Sequence, residues 1–305
     1  MDLPNYAYFQ GKIVPYSEAK IGVATHAFNY GTGVFAGMRG YWNENKEKLF
    51  VFRAHEHFER FLNSCKLMRI DIGQTPESMT KILLDLLHKD DFHEDIYIRP
   101  LAYKADESIG VKLHGLKDDL TIFAIPFGLY IKNDASAHFT VSSWRRVDDN
   151  MIPARGKVTG AYANSSLIKT DAVLAGFDDA LVLNQDGHIS EGSAMNFFMV
   201  RNGQLITPSA TENILEGITR KTVMELAEKE LKMPVIERQV DRTEVYICDE
   251  IIMTGTAVQV TAVTQIDHRP VGTGEMGPVA TALRKLFTEV VRGNHPSYTH
   301  WNLEV

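Results

Sequence analysis

Four short segments of this sequence carry residue types that could do chemistry together. In Ala154-Arg155-Gly156-Lys157-Val158-Thr159-Gly160-Ala161-Tyr162-Ala163-Asn164-Ser165-Ser166, a lysine stands between glycines just ahead of an expected helix. A lone loop lysine is most often a solvated surface group. The other reading is a Schiff-base lysine, an amine held deprotonated beside a carbonyl cofactor, with the glycines letting the backbone approach that ligand. In Ile189-Ser190-Glu191-Gly192-Ser193-Ala194-Met195-Asn196-Phe197, Glu191 stands between an expected strand and a turn. It is either a surface carboxylate or the partner of a pyridine nitrogen, keeping that ring protonated as an electron sink. Leu215-Glu216-Gly217-Ile218-Thr219-Arg220 opens a helix, whose first N–H groups take either an ordinary cap or a phosphate. Met253-Thr254-Gly255-Thr256-Ala257 follows the strand-like Glu250-Ile251-Ile252 and reads as a tight turn or as two amides offered to an anion.

Other common signatures are absent. Gly31-Thr32-Gly33-Val34-Phe35-Ala36-Gly37 has its last glycine one position too late for a dinucleotide fingerprint, and Gly156-Lys157 lacks the spacing of a P-loop. There is no GxSxG elbow and no HExxH. His55 and His57 lie two apart on an expected helix, which makes a poor metal pair; a solvated helix face is the expectation for both.

The elements that must position these segments are partly visible. Tyr6 to Phe9 and Lys12 to Pro15 flank Gln10-Gly11 as a hairpin. From Arg53 to Met68, Phe58, Phe61, Leu62, Cys65 and Met68 recur at helical spacing. Thr75 and Pro76 start a second helix with an apolar stripe of Met79, Ile82, Leu83, Leu86 and Leu87. Strands are expected at Ile96–Tyr103, Leu120–Pro126, Phe139–Trp144 and Ala180–Leu183, and hairpin turns at Gln185-Asp186-Gly187 and Arg201-Asn202-Gly203. Helices are expected from Gly217 to Leu231 and from Pro278 to Val291. Irregular mixing of strands and helices argues for α+β over a doubly wound sheet. The polar, turn-prone stretch Gly128–Ala137 marks a linker, giving domains at 1–127 and 138–305, the second carrying Lys157.

The chain has 305 residues, 44% of them hydrophobic and 23% charged, enough for about two domains with ordinary cores. Its 32 basic and 39 acidic residues give −7, without a basic run that would suit nucleic acid or a membrane surface. Two cysteines, Cys65 and Cys248, make neither a disulfide framework nor a zinc site. The N-terminal residues lack a signal-peptide pattern, and the longest apolar stretch, Leu120 to Ile131, is shorter than the ~20 residues of a membrane span. A cytoplasmic protein with no metal, nucleic acid or membrane partner is the expectation.

Taken in order, GKxxGxYxNS, SEGxxxNxF, LxGITR and TGTA resemble the pyridoxal-phosphate aminotransferases of fold type IV, and among them the branched-chain amino acid aminotransferases. The resemblance runs from Tyr8-Phe9-Gln10-Gly11 to Gly277-Pro278 and implies the two-domain fold of the D-amino acid aminotransferase-like enzymes. It implies that Lys157 forms the internal aldimine with pyridoxal 5′-phosphate and shuttles the Cα proton. Glu191 would pair with the ring nitrogen, supported by Asn196, and Tyr162 with the phenolic oxygen. Arg60, Leu215, Gly217, Ile218, Thr219 and Thr256 would hold the phosphate end. His26 to Arg39 resembles HxxxYGxxVFEGxR, and Tyr97-Ile98-Arg99 matches YIR. By the same resemblance Tyr30, Phe35 and Tyr130 would line the pocket for a leucine, isoleucine or valine side chain. Arg39, Tyr97 and Arg99, with the amides of Thr256 and Ala257, would take the carboxylates. Ile109 and Val111, in Ser108-Ile109-Gly110-Val111, would close the site of a neighbouring subunit.

The implied reaction is ping-pong transamination with 2-oxoglutarate, in a homo-oligomer that is a dimer at minimum, with a trimer of dimers as the larger assembly. Ala36 replaces the usual Glu of VFEG, Phe127 a common Trp, Glu216 the Pro of LPGITR and Ala161 the Asn of GNY. Ala36 and Phe127 bear on substrate range more than on the reaction. D-amino acid or (R)-amine transaminases and aminodeoxychorismate lyases would share Lys157 and Glu191 and remain the alternatives.

Overall fold

The expected N-terminal hairpin forms: Tyr6–Phe9 (β1) pairs antiparallel with Lys12–Pro15 (β2) in the computed structural model, which describes residues 3–128, 131 and 133–305. Two compact units follow from the packing. One comprises Met1–Gly128, Gly156–Ala161 and Val290–Val305; the other comprises Leu129–Arg155 and Tyr162–Glu289. The expected linker begins where the chain leaves the first unit, but its Leu129, Tyr130 and Lys132 lie outside the described residues.

The first unit is built on an antiparallel sheet. Its further elements are α1 (His26–Tyr30), β3 (Gly33–Phe35), β4 (Met38–Asn43), β5 (Lys48–Phe52), α2 (Ala54–Leu67), α3 (Pro76–Asp90), β6 (Ile96–Lys104) and β7 (Asp118–Pro126). The order runs from the C-terminal strand Asn302–Glu304 through β5, β4, β6, β7 and β1 to β2, with β3 also on β6. Helix α3 starts as expected. Thr75 and Ser78 exchange side-chain and backbone hydrogen bonds as a capping box, and Met79, Leu83, Leu86 and Leu87 are buried on one stripe. Helix α2 packs beside it with Phe58, Phe61 and Cys65 inward.

The domain expectation needs correction. The C-terminal residues do not stay with 138–305, because Asn302–Glu304 adds a strand to β5 and Arg53 binds the turn before it. The Arg53 N–H donates to the Trp301 carbonyl at 2.6 Å, and its guanidinium carbon lies 3.9 Å from the Trp301 ring centre. The Lys157 loop also belongs to the first unit. Gly160 N–H and Thr159 Oγ1 both donate to the Gly31 carbonyl, at 3.1 and 2.7 Å, and a single bridge joins Val34 to Val158.

The second unit is a mixed sheet. It contains β8 (Ala137–Arg145), α4 (Tyr162–Leu174), β9 (Asp179–Leu183), β10 (Ile189–Gly192), β11 (Asn196–Arg201), β12 (Gln204–Thr207), α5 (Ile218–Lys229), β13 (Val235–Glu237), β14 (Glu250–Gly255) and β15 (Gln259–Ile266). A last helix, α6, spans Pro278–Val291. The strand order is β10-β9-β8-β15-β14-β11-β12-β13, with the two-residue strand Arg269–Pro270 on β15. Pairs β8–β9, β8–β15 and β12–β13 are parallel. Phe139, Leu181, Ile189, Phe197, Met199, Ile251 and Met253 are among the residues of its core. At the β11–β12 turn, Asn202 and Gly203 both take positive φ, 53° and 73°, as a two-residue hairpin loop requires. Among the described residues no helix is long and apolar enough to cross a membrane.

Candidate active site

Lys157 is held from both sides of its Cα. Its N–H donates to Ser64 Oγ on α2 at 3.2 Å, and its carbonyl accepts from the Phe35 N–H on β3 at 3.0 Å. Its Nζ lies 5.0 Å from the centre of the Phe35 ring, and the Arg99 guanidinium carbon lies 4.3 Å from that same centre. The loop can run this close to β3 because Gly31 and Gly160 meet there. A Cβ on Gly31, whose φ is +65°, would sit 2.8 Å from the Gly160 Cα. Arg60 shares α2 with Ser64, one turn earlier, and its carbonyl accepts from the Ser64 hydroxyl at 3.0 Å.

The residues expected to meet substrate fall in the same unit, apart from Tyr130, which lies outside the described residues, and Thr256 and Ala257. Alternating along β6, Tyr97 and Arg99 share a face, and Arg99 Nη2 donates to the Tyr97 hydroxyl at 2.9 Å. Arg39 is buried, with Nη2 donating to the Phe127 carbonyl at 2.8 Å and its guanidinium over the rings of Tyr41 and Phe127. Tyr30 closes α1, and its hydroxyl accepts from the Gly110 N–H at 3.1 Å, while His26 Nε2 meets the Gly110 carbonyl at 2.7 Å. The loop Ser108–Val111 is therefore tied at its centre to α1, and Ile109 and Val111 project outward, 80% and 79% exposed.

In the second unit, Glu191 is buried on β10, where a register irregularity between Ile189 and Glu191 breaks the alternation of the ladder. Its Oε1 pairs with Arg146 Nη2 at 2.8 Å. Its Oε2 accepts from Asn196 Nδ2 at 2.9 Å and from the Leu215 N–H at 3.2 Å. Asn196 Nδ2 also donates to the Leu215 carbonyl at 2.8 Å, so the amide locks the LxGITR segment onto the carboxylate. Asn196 Oδ1 fills the space a side chain at Gly217 would need, since a Cβ there would lie 2.0 Å from it. Helix α5 then begins at Ile218 without a side-chain cap, with Ile218 and Thr219 buried in its first turn. Thr254 Oγ1, opposite Asn196 in the β11–β14 register, is buried without a hydrogen-bond partner. Thr256 and Ala257 form the hairpin tip between β14 and β15, and Tyr162 is the first residue of α4. A buried carboxylate paired with a guanidinium suits a protonated heteroaromatic nitrogen, and an uncapped helix start suits a phosphate. The donor set fits pyridoxal phosphate.

Residues 33–266 match the family model described as amino-transferase class IV. Over 97% of its length the chain is 44% identical to the "Probable branched-chain-amino-acid aminotransferase" of Aquifex aeolicus, covering 96% of that protein. The chain belongs to the class IV aminotransferases, on their branched-chain-amino-acid branch. Solved structures agree with the aminotransferase fold. The branched-chain aminotransferase of Thermoproteus uzoniensis, crystallised with norvaline, superposes with a TM-score of 0.94 at 38% identity, with 98% of each chain covered. A second branched-chain amino acid aminotransferase, that of T.th., complexed with N-(5′-phosphopyridoxyl)-L-glutamate, gives 0.93 at 38% identity over 98% of each chain.

Several side chains of this aminotransferase that matter to the site escaped the sequence reading. Arg146 gives no sign of its partner 45 positions away, beyond being a basic residue after a strand. Arg220, in the GITR segment, is committed to structure: it reaches Thr207 Oγ1, the Pro208 carbonyl and Glu237. Asp186, His188 and Glu212 bring acid and imidazole atoms within 4.8 Å of one another. Asp186 already pairs with His188 at 2.9 Å, and Glu212 accepts from Asn184 at 2.9 Å.

His57 corrects the expectation of a solvated helix face. His55 is exposed, but His57 is buried on the α2 face that carries Phe61 and Ser64, and its Nδ1 has no hydrogen-bond partner. The signal was available, since His57, Phe61 and Ser64 follow helical spacing. Burial, then the charges of Arg60, Lys157 and Arg53, hold its imidazole well below the usual histidine range. The unfolded chain takes up a proton there as pH falls below about 6.5 while the folded chain does not, so acid favours unfolding through this group. Between pH 6.5 and the folded pKa, wild type is expected to lose up to about 1.4 kcal/mol of stability per pH unit relative to His57→Phe. Urea unfolding of both proteins at pH 7.5 and 5.5 checks this, and parallel losses would refute it.

Proposed function

We propose that this chain transfers the amino group of L-leucine, L-isoleucine and L-valine to 2-oxoglutarate in a ping-pong cycle, with Lys157 as the residue that bears the cofactor. The observation that carries the reading is Lys157 itself: a lysine whose backbone is fixed on both sides and whose amine lies 5.0 Å from the Phe35 ring centre that the Arg99 guanidinium also approaches. The relatives support the substrate class, and the phosphopyridoxyl-glutamate complex of a neighbour supports glutamate and 2-oxoglutarate as the second pair. Pyridoxal phosphate, when bound, supplies a carbonyl for the amino group and a ring that draws off the electron pair left when the Cα proton goes.

Glu191 would face the ring nitrogen and hold its proton, its own carboxylate being paired with Arg146 at 2.8 Å. Asn196 fixes the carboxylate's orientation. The start of α5 and Thr256 would hold the phosphate and Tyr162 the phenolic oxygen, with Arg60 the cation offered to the phosphate. Lys157 Nζ is the base for the substrate Cα proton. Phe35 and Tyr97 offer aromatic faces to an aliphatic side chain. Arg99 is better placed than Arg39 for a carboxylate. Arg39 is 2% exposed, spends Nη2 on the Phe127 carbonyl and lies 3.9 Å from Asp95, whereas Arg99 is only partly buried.

The test is an absorption spectrum of the purified holoenzyme with L-leucine, D-alanine or (R)-1-phenylethylamine added. Bleaching of the visible band by L-leucine alone supports the reading. Bleaching only by D-alanine or the amine would move the chain to the D-amino acid or (R)-amine alternative, and no band at all would refute the cofactor assignment.

The assembly we propose is a homodimer. Val23, Phe28, Ile109 and Val111 are large apolar residues left exposed on segments that are bonded together: the His26 N–H donates to the Asp106 carbonyl at 2.8 Å, and Gly110 is tied to Tyr30 and His26. Clustered exposed hydrophobics of this kind mark an interface. Phe28→Glu combined with Ile109→Glu is expected to shift sedimentation from dimer to monomer and to lower activity. A wild-type sedimentation coefficient would count against this face.

A further inference from the structure

We propose that Ser64 is a positioning residue for the reaction, setting where Lys157 stands on the helix that carries Arg60. The proposal rests on the reading above that Lys157 bears the cofactor and Arg60 holds its phosphate.

The Ser64 hydroxyl is 1% exposed and uses both of its capacities. It accepts the Lys157 N–H at 3.2 Å and donates to the Arg60 carbonyl at 3.0 Å. A serine hydroxyl bonding back to the carbonyl four residues earlier is ordinary within a helix. Here the remaining lone pair reaches a loop 93 positions away in sequence. Past Lys157 that loop is anchored, with Val158 bridged to Val34 and with Thr159 and Gly160 bonded to the Gly31 carbonyl; on the amide side of Lys157 the chain arrives through Gly156, and Ser64 is the group that meets it there.

The geometry of the two backbone bonds gives Ser64 its importance. The Phe35 N–H fixes the carbonyl side of Lys157 and the Ser64 hydroxyl fixes the amide side. With both flanking peptides fixed, the Cα–Cβ bond has one direction, and the arc swept by Nζ is set. With the hydroxyl gone, the amide side of Lys157 can pivot about the Phe35 bond. A displacement near 1 Å at a reacting group costs about a hundredfold in rate. The same pivot changes the distance from Nζ to its charged surroundings: the Arg99 guanidinium, which lies over the same Phe35 ring, and Arg60 and Arg53 on and just before α2, whose charges act together with that of Lys157 on neutral His57. The proton affinity of the lysine nitrogen depends on those distances.

The experiment compares Ser64→Ala and Ser64→Thr as holoenzymes. Ser64→Ala is expected to keep its cofactor, lose about ten- to a hundredfold in kcat for L-leucine with KM within about twofold, and shift the pH midpoint of its visible absorbance by about half a unit or more. Ser64→Thr, which keeps the hydroxyl, is expected to recover most of both. A wild-type kcat and midpoint in Ser64→Ala would overturn the proposal. So would a loss of kcat with an unmoved midpoint that threonine does not restore, which is the signature of packing alone. If Ser64→Ala does not fold, Ser64→Cys, near in size but a weak hydrogen-bonding partner, carries the same expectations. Lys157→Ala runs alongside. If it keeps the wild-type band and turnover, the reading of the lysine has failed, whatever Ser64 shows.

Discussion

Lys157→Ala is expected to end turnover of L-leucine with 2-oxoglutarate, a fall on the order of 10⁴- to 10⁶-fold of the kind seen when a group at the reacting atoms is removed. The protein should still fold. The two contacts that seat this residue, to Ser64 Oγ and from the Phe35 N–H, are made by its backbone and survive truncation of the side chain. The groups proposed for the phosphate and the ring nitrogen lie elsewhere in the sequence, so the variant should retain cofactor with reduced affinity. Stopped-flow absorbance after mixing with L-leucine checks the loss of the half-reaction. A primary amine in the buffer, such as methylamine, is expected to restore a small, concentration-dependent rate, because what is missing is a base for the Cα proton and not the site around it. Near wild-type turnover in this variant would refute the central assignment.

What the sequence made legible was what it holds in contiguous runs. The lysine loop, the SEG segment, the start of α5 and the TGTA turn each fit within a dozen or so residues, and the chemistry of each could be argued from residue type. Elements with strong local signals were legible too, such as α3, with Thr75 and Ser78 exchanging bonds across Pro76. The pairings between distant segments were not. Lys157 reads as part of a C-terminal domain because it follows the linker, yet its loop is bonded to Gly31, Phe35 and Ser64. No periodicity encodes a loop amide meeting a helix hydroxyl, so neither Ser64 nor the correct unit for the lysine could be read in advance. His57 failed differently. Spacing from His55 says nothing about which face is buried, while spacing to Phe61 and Ser64 does. Glu191 was legible as a candidate, but its ion-pair partner, Arg146, was not, because a salt bridge between a bulged strand and a loop leaves no local pattern.

Glu191→Gln tests that pair most directly. The amide keeps the size and can still accept from the Leu215 N–H, but it cannot balance the charge of a protonated ring nitrogen. Less of the electron pair released at Cα is then drawn away, and kcat/KM is expected to fall about 10²- to 10³-fold, the range found when one preorganised electrostatic partner is removed. The change also leaves Arg146, 12% exposed, facing a neutral group across 2.8 Å where a carboxylate oxygen now stands. Leaving a buried charge without its counter-charge is costly, and a loss of about 1–3 kcal/mol in unfolding free energy is expected. The two effects separate in the double variant Glu191→Gln with Arg146→Met. Removing the stranded cation should recover part of the stability, whereas the rate should stay low, because the methionine restores nothing opposite the ring nitrogen. Denaturant unfolding and single-turnover kinetics on the single and double variants measure both. If the rate recovers along with the stability, the carboxylate serves the fold and not the ring, and the acid–base assignment in the second unit must be abandoned.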